Sequence, residues 1–307
     1  MNLKEAYEQW ITDPELGITD RTRGLYQSCF SVMGQFWEVR DLWHQSVRKA
    51  LTRDKLSALW HWLQDTQPKA AGTYALYNRI LAAFQAHWVR KGMDIEKTAN
   101  MVDPLRVLAS RGIRKGRQTK AVPKETYEQV LKVAPMPWRL VTQLGWETGL
   151  RIIDICHLRG EEVDWDEKFI RVIPVKTRRH NKQVEIPLSD DVFQQLSEIA
   201  DATMRKKSHD KGGGLTKGRK GFFFPDLHAQ YHTEERKRMA ADWRCACGLT
   251  RRCGMGFHSL RRSFITRLIE DDIDFSVISS MTGQSIPTLI KYIRHDINTK
   301  RKALRYV

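Results

Sequence analysis

The hydrophobic residues of this chain keep one period through its first third and change it only briefly later. That pattern limits the fold more than any other feature. Leu25, Cys29, Val32, Met33 and Phe36 fall at i, i+4, i+7, i+8 and i+11, one helical stripe. Leu56, Leu59, Trp60 and Leu63 form a second stripe, with Thr52 placed to cap it. Tyr77, Ile80, Leu81, Phe84 and Trp88 form a third, which Gly92 ends. Residues 1–108 therefore read as a bundle of four or five helices. Its aromatics sit at core spacing, so they are expected inside the bundle rather than on a base-stacking surface. Strand-like stretches are confined to Phe169–Val175 and Val184–Leu188, a β-hairpin with a long loop. Helices are expected again from about Lys124, through Trp138, Leu140, Val141 and Leu144, and from His258 onward. Residues 205–220, with Gly212, Gly213, Gly214 and seven basic residues, read as a flexible loop. The fold class is mainly α with a small β-sheet (α+β).

The 307 residues suffice for two domains with real cores. No apolar run approaches the roughly 18–20 residues of a membrane span. The N-terminus, MNLKEAYEQW, lacks the basic and apolar segments of a signal peptide. Five cysteines in a chain of this length make no disulfide framework, so a reducing cytoplasm is expected. The charge is uneven: residues 1–110 are net +2 and the remainder net +14, which points to a polyanion such as nucleic acid. Between Arg111 and Lys124 there are six basic residues and no acidic one, interrupted by Gly112, Gly116 and Pro123. We read 109–123 as a basic linker between a helical domain, 1–108, and a second domain, 124–307. Arg111, Arg114, Lys115, Arg117 and Lys120 of this strap are expected to lie along phosphates.

Three short pieces far apart in sequence carry the chemistry. They are Thr148-Gly-Leu-Arg-Ile-Ile-Asp154, the hairpin holding Lys176, and His258-Ser-Leu-Arg261 followed by Gly283-Gln284 and Tyr292. Each alone is a weak signal. The ordered set Arg…Lys…His-x-x-Arg…Tyr, in its Gly-Leu-Arg context, resembles the tyrosine recombinase (phage integrase) family over essentially the whole chain. The resemblance implies a helical core-DNA-binding domain and a tyrosine-recombinase catalytic domain that together clamp a duplex. It also implies strand cleavage through a 3′-phosphotyrosine, without metal, ATP or other cofactor. Dimers on each specific site, tetramers in a synapse and possible DNA-bending accessory proteins belong to the same picture, in the cytoplasm of a bacterial or phage-infected cell and associated with its nucleoid.

The residue types suit that chemistry. Arg151 and Arg261 would fork onto the scissile phosphate and meet its growing charge. His258, one turn before Arg261, would donate to the phosphate or exchange a proton with the tyrosine. Lys176 matches the family's general acid, which protonates the leaving 5′-oxygen. Arg178 and Arg179 share its turn as DNA contacts. Asp154 would orient Arg151 from behind. Tyr292 is the expected nucleophile, on a short helix capped by Ser285 with Pro287 in its first turn. Two features depart from the family. Gln284 stands where a histidine or tryptophan is usual, and its amide can still donate a neutral hydrogen bond. The step from Gln284 to Tyr292 is also about one residue shorter than usual.

Cys245, Cys247, Cys253 and His258 lack the spacing of a structural zinc site, so no metal is expected. Integration or excision of a phage or mobile element is the first reading of the biological role, and resolution of chromosome or plasmid dimers the second. A catalytically inactive DNA-binding regulator is the reading from a different class, and Gln284 keeps it open. A type IB topoisomerase would share the chemistry without a specific site.

Overall fold

The computed structural model describes residues 1–95, 102–113, 120–210 and 221–292, except the side chains of residues 179, 180, 203–210, 252 and 291. The chain forms two compact units, Met1–Arg117 and Gln118–Val307. Among the described residues, no helix is long and apolar enough to cross a membrane.

The first unit is helical: α1 (Leu3–Thr12), α2 (Asp20–Val39), α3 (Val47–Ala50), α4 (Arg53–Thr66), α5 (Ala71–Arg90) and α6 (Pro104–Val107). A capping box starts α1, in which Glu5 N donates to Asn2 Oδ1 at 2.8 Å and Asn2 N to Glu5 Oε2 at 3.0 Å. Trp10, Phe30, Phe36, Trp37, Trp60, Tyr74 and Phe84 are buried together. Trp10 meets Phe84 edge-on and stacks on Tyr26, each at 5.3 Å between centroids. The aromatics are thus core residues. Leu25 departs from the expected stripe and is exposed. The buried face of α2 centres on Met33, and at about 100° per residue Leu25 is turned roughly 80° from that centre. Thr52 precedes α4 as its N-cap, but its side chain makes no capping bond.

The second unit opens with α7 (Lys124–Val133), α8 (Trp138–Thr148) and α9 (Ile152–Cys156). An antiparallel sheet follows in the order β1 (Val163–Asp164), β2 (Phe169–Val172), β3 (Val184–Pro187). Ile170 pairs with Ile186 and Val172 with Val184, all facing the core. Arg171 and Glu185 pair on the outer face, where Arg171 Nε donates to Glu185 Oε1 at 3.2 Å. The first strand is shorter than the sequence suggests. It stops at Val172, because Pro174 offers no N–H to a ladder, and Val175–His180 coil into a 3₁₀ turn. The two-residue β1 is too short to show a period and was not expected.

The remaining helices are α10 (Asp190–Asp210), α11 (Pro225–Tyr231), α12 (Met239–Ala246), α13 (Phe257–Glu270), α14 (Phe275–Thr282) and α15 (Ile286–Leu289). Residues 205–210 are therefore helical rather than loop. No breaker interrupts them before Gly212, and residues 211–220 lie outside the described residues. Helices α8 and α13 cross closely. A Cβ at Gly145 would lie 2.9 Å from side-chain atoms of Leu260 and Phe257. On α13, Ser263 Oγ accepts from Val122 N at 2.7 Å and donates to Val122 O at 3.0 Å, tying the chain entering this unit to that helix.

Candidate active site

Gly149 ends α8 in the left-handed region, at φ +63°. A Cβ there would lie 2.4 Å from Phe264 Cδ1, so both backbone and space require glycine. The turn, anchored by buried Leu150, delivers Arg151 as the extended N-cap of α9. Arg151 Nη1 lies 3.7 Å from Asp154 Oδ2. Asp154 is only 4% exposed, so it is not an ordinary helix-surface carboxylate. Its Oδ1 accepts from Val175 N at 2.9 Å, immediately before Lys176. Its Oδ2 has no hydrogen-bond partner, so the Arg151 guanidinium is its counter-charge. One carboxylate thus faces both the arginine and the lysine turn.

Arg261 is 2% exposed on α13. Nη1 donates to Gly149 O and Nη2 to Thr282 O, both at 2.7 Å. A guanidinium only donates, so the Gln284 carboxamide is assigned with Oε1 toward it, 3.2 Å from Nε and from Nη2. The Gln284 Nε2 group therefore points away from Arg261. Burial, with Arg151 nearby, pushes the Arg261 pKa down to about 10, while Tyr292 and Asp154 oppose the shift. The guanidinium stays cationic at neutral pH. It joins the Gly-Leu-Arg turn to the end of α14, and so to the segment leading to Tyr292.

His258 lies in the first turn of α13 with an exposed edge. Loss of hydration lowers its pKa, and Arg261, Arg151, Lys176 and Arg262 lower it further. The shift favours the neutral imidazole, the form that can accept a proton. Lys176 is exposed at the start of its 3₁₀ turn, near enough to influence His258. Tyr292 is half-buried on a 3₁₀ turn, Ile290–Tyr292, after α15. Its ring packs with the cluster of Phe264, Ile265, Ile278 and Leu289. Arg262 Cζ stands 5.4 Å from the centroid of that ring, a contact that no sequence spacing announced. Ser285 caps α15 by position, and Pro287 lies in its first turn.

The proposed DNA contacts are more scattered. Arg111 closes a 3₁₀ turn in the first unit and is paired with Asp65. Lys120 and Arg178 are exposed. Arg114, Lys115 and Arg117 lie outside the described residues, as does the side chain of Arg179.

Comparison with known proteins bears on the family and the fold. The family model described as phage integrase family matches residues 120–298. The tyrosine recombinase XerA of Pyrococcus furiosus is 22% identical over 229 residues, covering 71% of this chain and 68% of its own. The tyrosine recombinase XerC of Mycobacterium tuberculosis is 25% identical over 236 residues, 75% of each chain. The Tn1549 transposon integrase, solved with a circular intermediate DNA, shares the fold at a TM-score of 0.72 and 13% identity, over 100% of both chains. A lambda integrase dimer bound to a COC′ core site gives a TM-score of 0.61 at 18% identity, covering 97% of this chain and 100% of that one. With more than half of its length matched by the family and the Arg, Lys, His-x-x-Arg and Tyr residues in order along it, the chain belongs to the phage integrase family and is a tyrosine site-specific recombinase.

Proposed function

We propose that this recombinase cuts and rejoins duplex DNA at a specific site through Tyr292, and that it integrates or excises a phage or mobile element. The observation that carries the site assignment is the bonding of Arg261. One buried cation holds the carbonyls of Gly149 and Thr282, and so fixes the segments bearing Arg151 and Gln284 around one point. A phosphate there meets Arg151, Arg261, His258 and the Gln284 amide.

The Tyr292 hydroxyl oxygen attacks the scissile phosphorus and passes its proton to neutral His258. The P–O5′ bond breaks, and the Lys176 ammonium gives a proton to the departing 5′-oxygen. The products are a 3′-phosphotyrosine and a free 5′-hydroxyl. Attack by a 5′-hydroxyl, of the same or a partner strand, reverses the step and restores Tyr292. Arg151 and Arg261 stabilise the added charge of the pentavalent transition state. Lys120 and Arg178 add phosphate contacts, as do Arg114, Lys115, Arg117 and Arg179 by their place in the sequence, so affinity should fall steeply with salt. The enzyme would act in the cytoplasm, as dimers on each site that pair into tetramers.

Resolution of chromosome or plasmid dimers is the second reading of the same chemistry. Covalent trapping tests the proposal. Protein is incubated without metal with nicked duplexes drawn from DNA flanking its gene and from chromosome-dimer resolution sites, then run on a denaturing gel. An adduct on flanking DNA supports the mobile-element role, and one on resolution sites the second reading. Tyr292→Phe should bind DNA normally and form no adduct. An adduct surviving that substitution overturns the nucleophile assignment.

A further inference from the structure

A second cluster of reactive side chains lies at the far end of α9 from Arg151. His157 follows that helix as its C-cap. His228 sits on α11 and His232 is its C-cap, four residues on and thus on the same face. The ligand atoms of the three imidazoles all lie within 4.8 Å of one another. The ring centroids form a nearly equilateral triangle, 4.7 Å from His157 to His228, 4.7 Å from His228 to His232 and 5.0 Å from His157 to His232. His157 and His228 are half-buried and His232 is exposed, which leaves an open side.

The tautomer of His157 is set locally. Its Nδ1 lies 2.7 Å from Ile153 O, an acceptor only, so Nδ1 carries the proton. The Nε2 lone pair is then left to face His232 Nε2 at 2.9 Å. A backbone carbonyl behind a histidine is the usual support for a metal-ligating imidazole. Phe222 stacks on His228 at 3.8 Å and meets His157 edge-on at 6.4 Å, which holds both rings and makes one wall of the cluster apolar. Arg159 lies over the Phe222 ring, 4.5 Å from its centroid, and is paired with Glu161 at 3.2 Å.

We propose that His157, His228 and His232 form a site for a divalent first-row transition metal, zinc being the best match, with water in the fourth position. Imidazole nitrogen suits zinc, nickel and copper. Three nitrogens at about 2.0–2.1 Å from a tetrahedral ion stand about 3.4 Å apart, so the His157–His232 pair need open by only about 0.5 Å. The ion would staple the end of α9 to α11. Because α9 is a five-residue helix with Arg151 as its N-cap, the staple would steady the arginine's supporting segment. The metal takes no part in strand cleavage and no bond is made or broken at it. The competing account is a plain N–H···N hydrogen bond between His157 and His232.

The test uses tag-free, full-length protein stripped with chelator and titrated with zinc by calorimetry, with thermal melting in parallel. One equivalent should bind per chain and raise the melting temperature by several degrees. His232→Gln, at an exposed ring, should fold normally and lose both effects. Cobalt in place of zinc should give visible bands of nitrogen–oxygen ligation without the near-ultraviolet thiolate band that Cys245, Cys247 or Cys253 would produce. Equal zinc binding by wild type and His232→Gln, no binding by wild type, or a thiolate band would each overturn the proposal.

Discussion

The two halves of the candidate active site are held in opposite ways. Arg261 and Asp154 are buried and bonded to the main chain of other segments, Gly149, Thr282 and Val175. Lys176 and Tyr292 ride on 3₁₀ turns, one exposed and one half-buried. The groups proposed to hold the phosphate are thus fixed before substrate arrives, which is where preorganisation lowers a barrier most. The groups proposed to carry the nucleophile and the proton sit on short 3₁₀ turns, outside the longer helices. An enzyme that must cleave, wait and rejoin has a use for both: a constant charge environment, and reacting groups that can be presented or withdrawn.

Four experiments test that contrast, with thermal stability followed beside activity in each variant. Lys176→Ala should slow cleavage about 10²–10⁴-fold, the range for a lost general acid, with an unchanged melting temperature. A substrate with a 5′-thiol leaving group, which needs no proton, should restore the rate; failure of that rescue removes Lys176 from the role. Arg261→Ala should slow adduct formation by about 10²-fold, from losing about 3 kcal/mol of transition-state stabilisation. Unlike the lysine change, it should also lower stability by about 2 kcal/mol or more, since two buried carbonyls lose their donors. Equal stability of the two variants would erase the distinction drawn here.

Gln284→Ala should have a smaller effect, about tenfold on adduct formation from loss of one neutral hydrogen bond, with a fall in stability of about 1 kcal/mol as the Arg261 fork loses its acceptor. The smallest expected effect is on pH dependence. His258 has a lowered pKa, so the folded protein binds that proton less readily than the unfolded chain. Its contribution to stability is present while it is neutral and is lost as pH falls below about 6.5, the unfolded value. Adduct formation should decline with a midpoint below that value. NMR titration of the His258 ring, assigned with His258→Gln, should give a midpoint on the acid side, and one above it contradicts the crowding by cations described above.

The helices were legible in sequence because their stripes are long. The stretch from Leu56 to Leu63 and that from Tyr77 to Trp88 repeat often enough to define a face. The candidate site residues were picked out on a different ground, their order and context, which no periodicity supplies. What stayed hidden was short or long-range. Two residues of β1 show no alternation, and Pro174 ends β2 earlier than its apolar run suggests. The burial of Asp154 depends on a backbone N–H 21 positions away. The histidine cluster joins positions 157, 228 and 232, and only the last two carried a local signal, their helical spacing.

The bonding of Arg261 also bears on how substrate is received. Among the described residues, acceptors are already in place for four of its five N–H groups, and the Nε/Nη2 fork is closed by the Gln284 oxygen. That fork is the edge that grips an oxyanion in two-point fashion. On the proposed chemistry, the phosphate therefore enters by ligand exchange: it displaces a neutral placeholder that has kept the cation solvated by protein. Arg261 is thus not left bare at rest, and the occupant that gives way is Gln284, which stands where a histidine or tryptophan was expected.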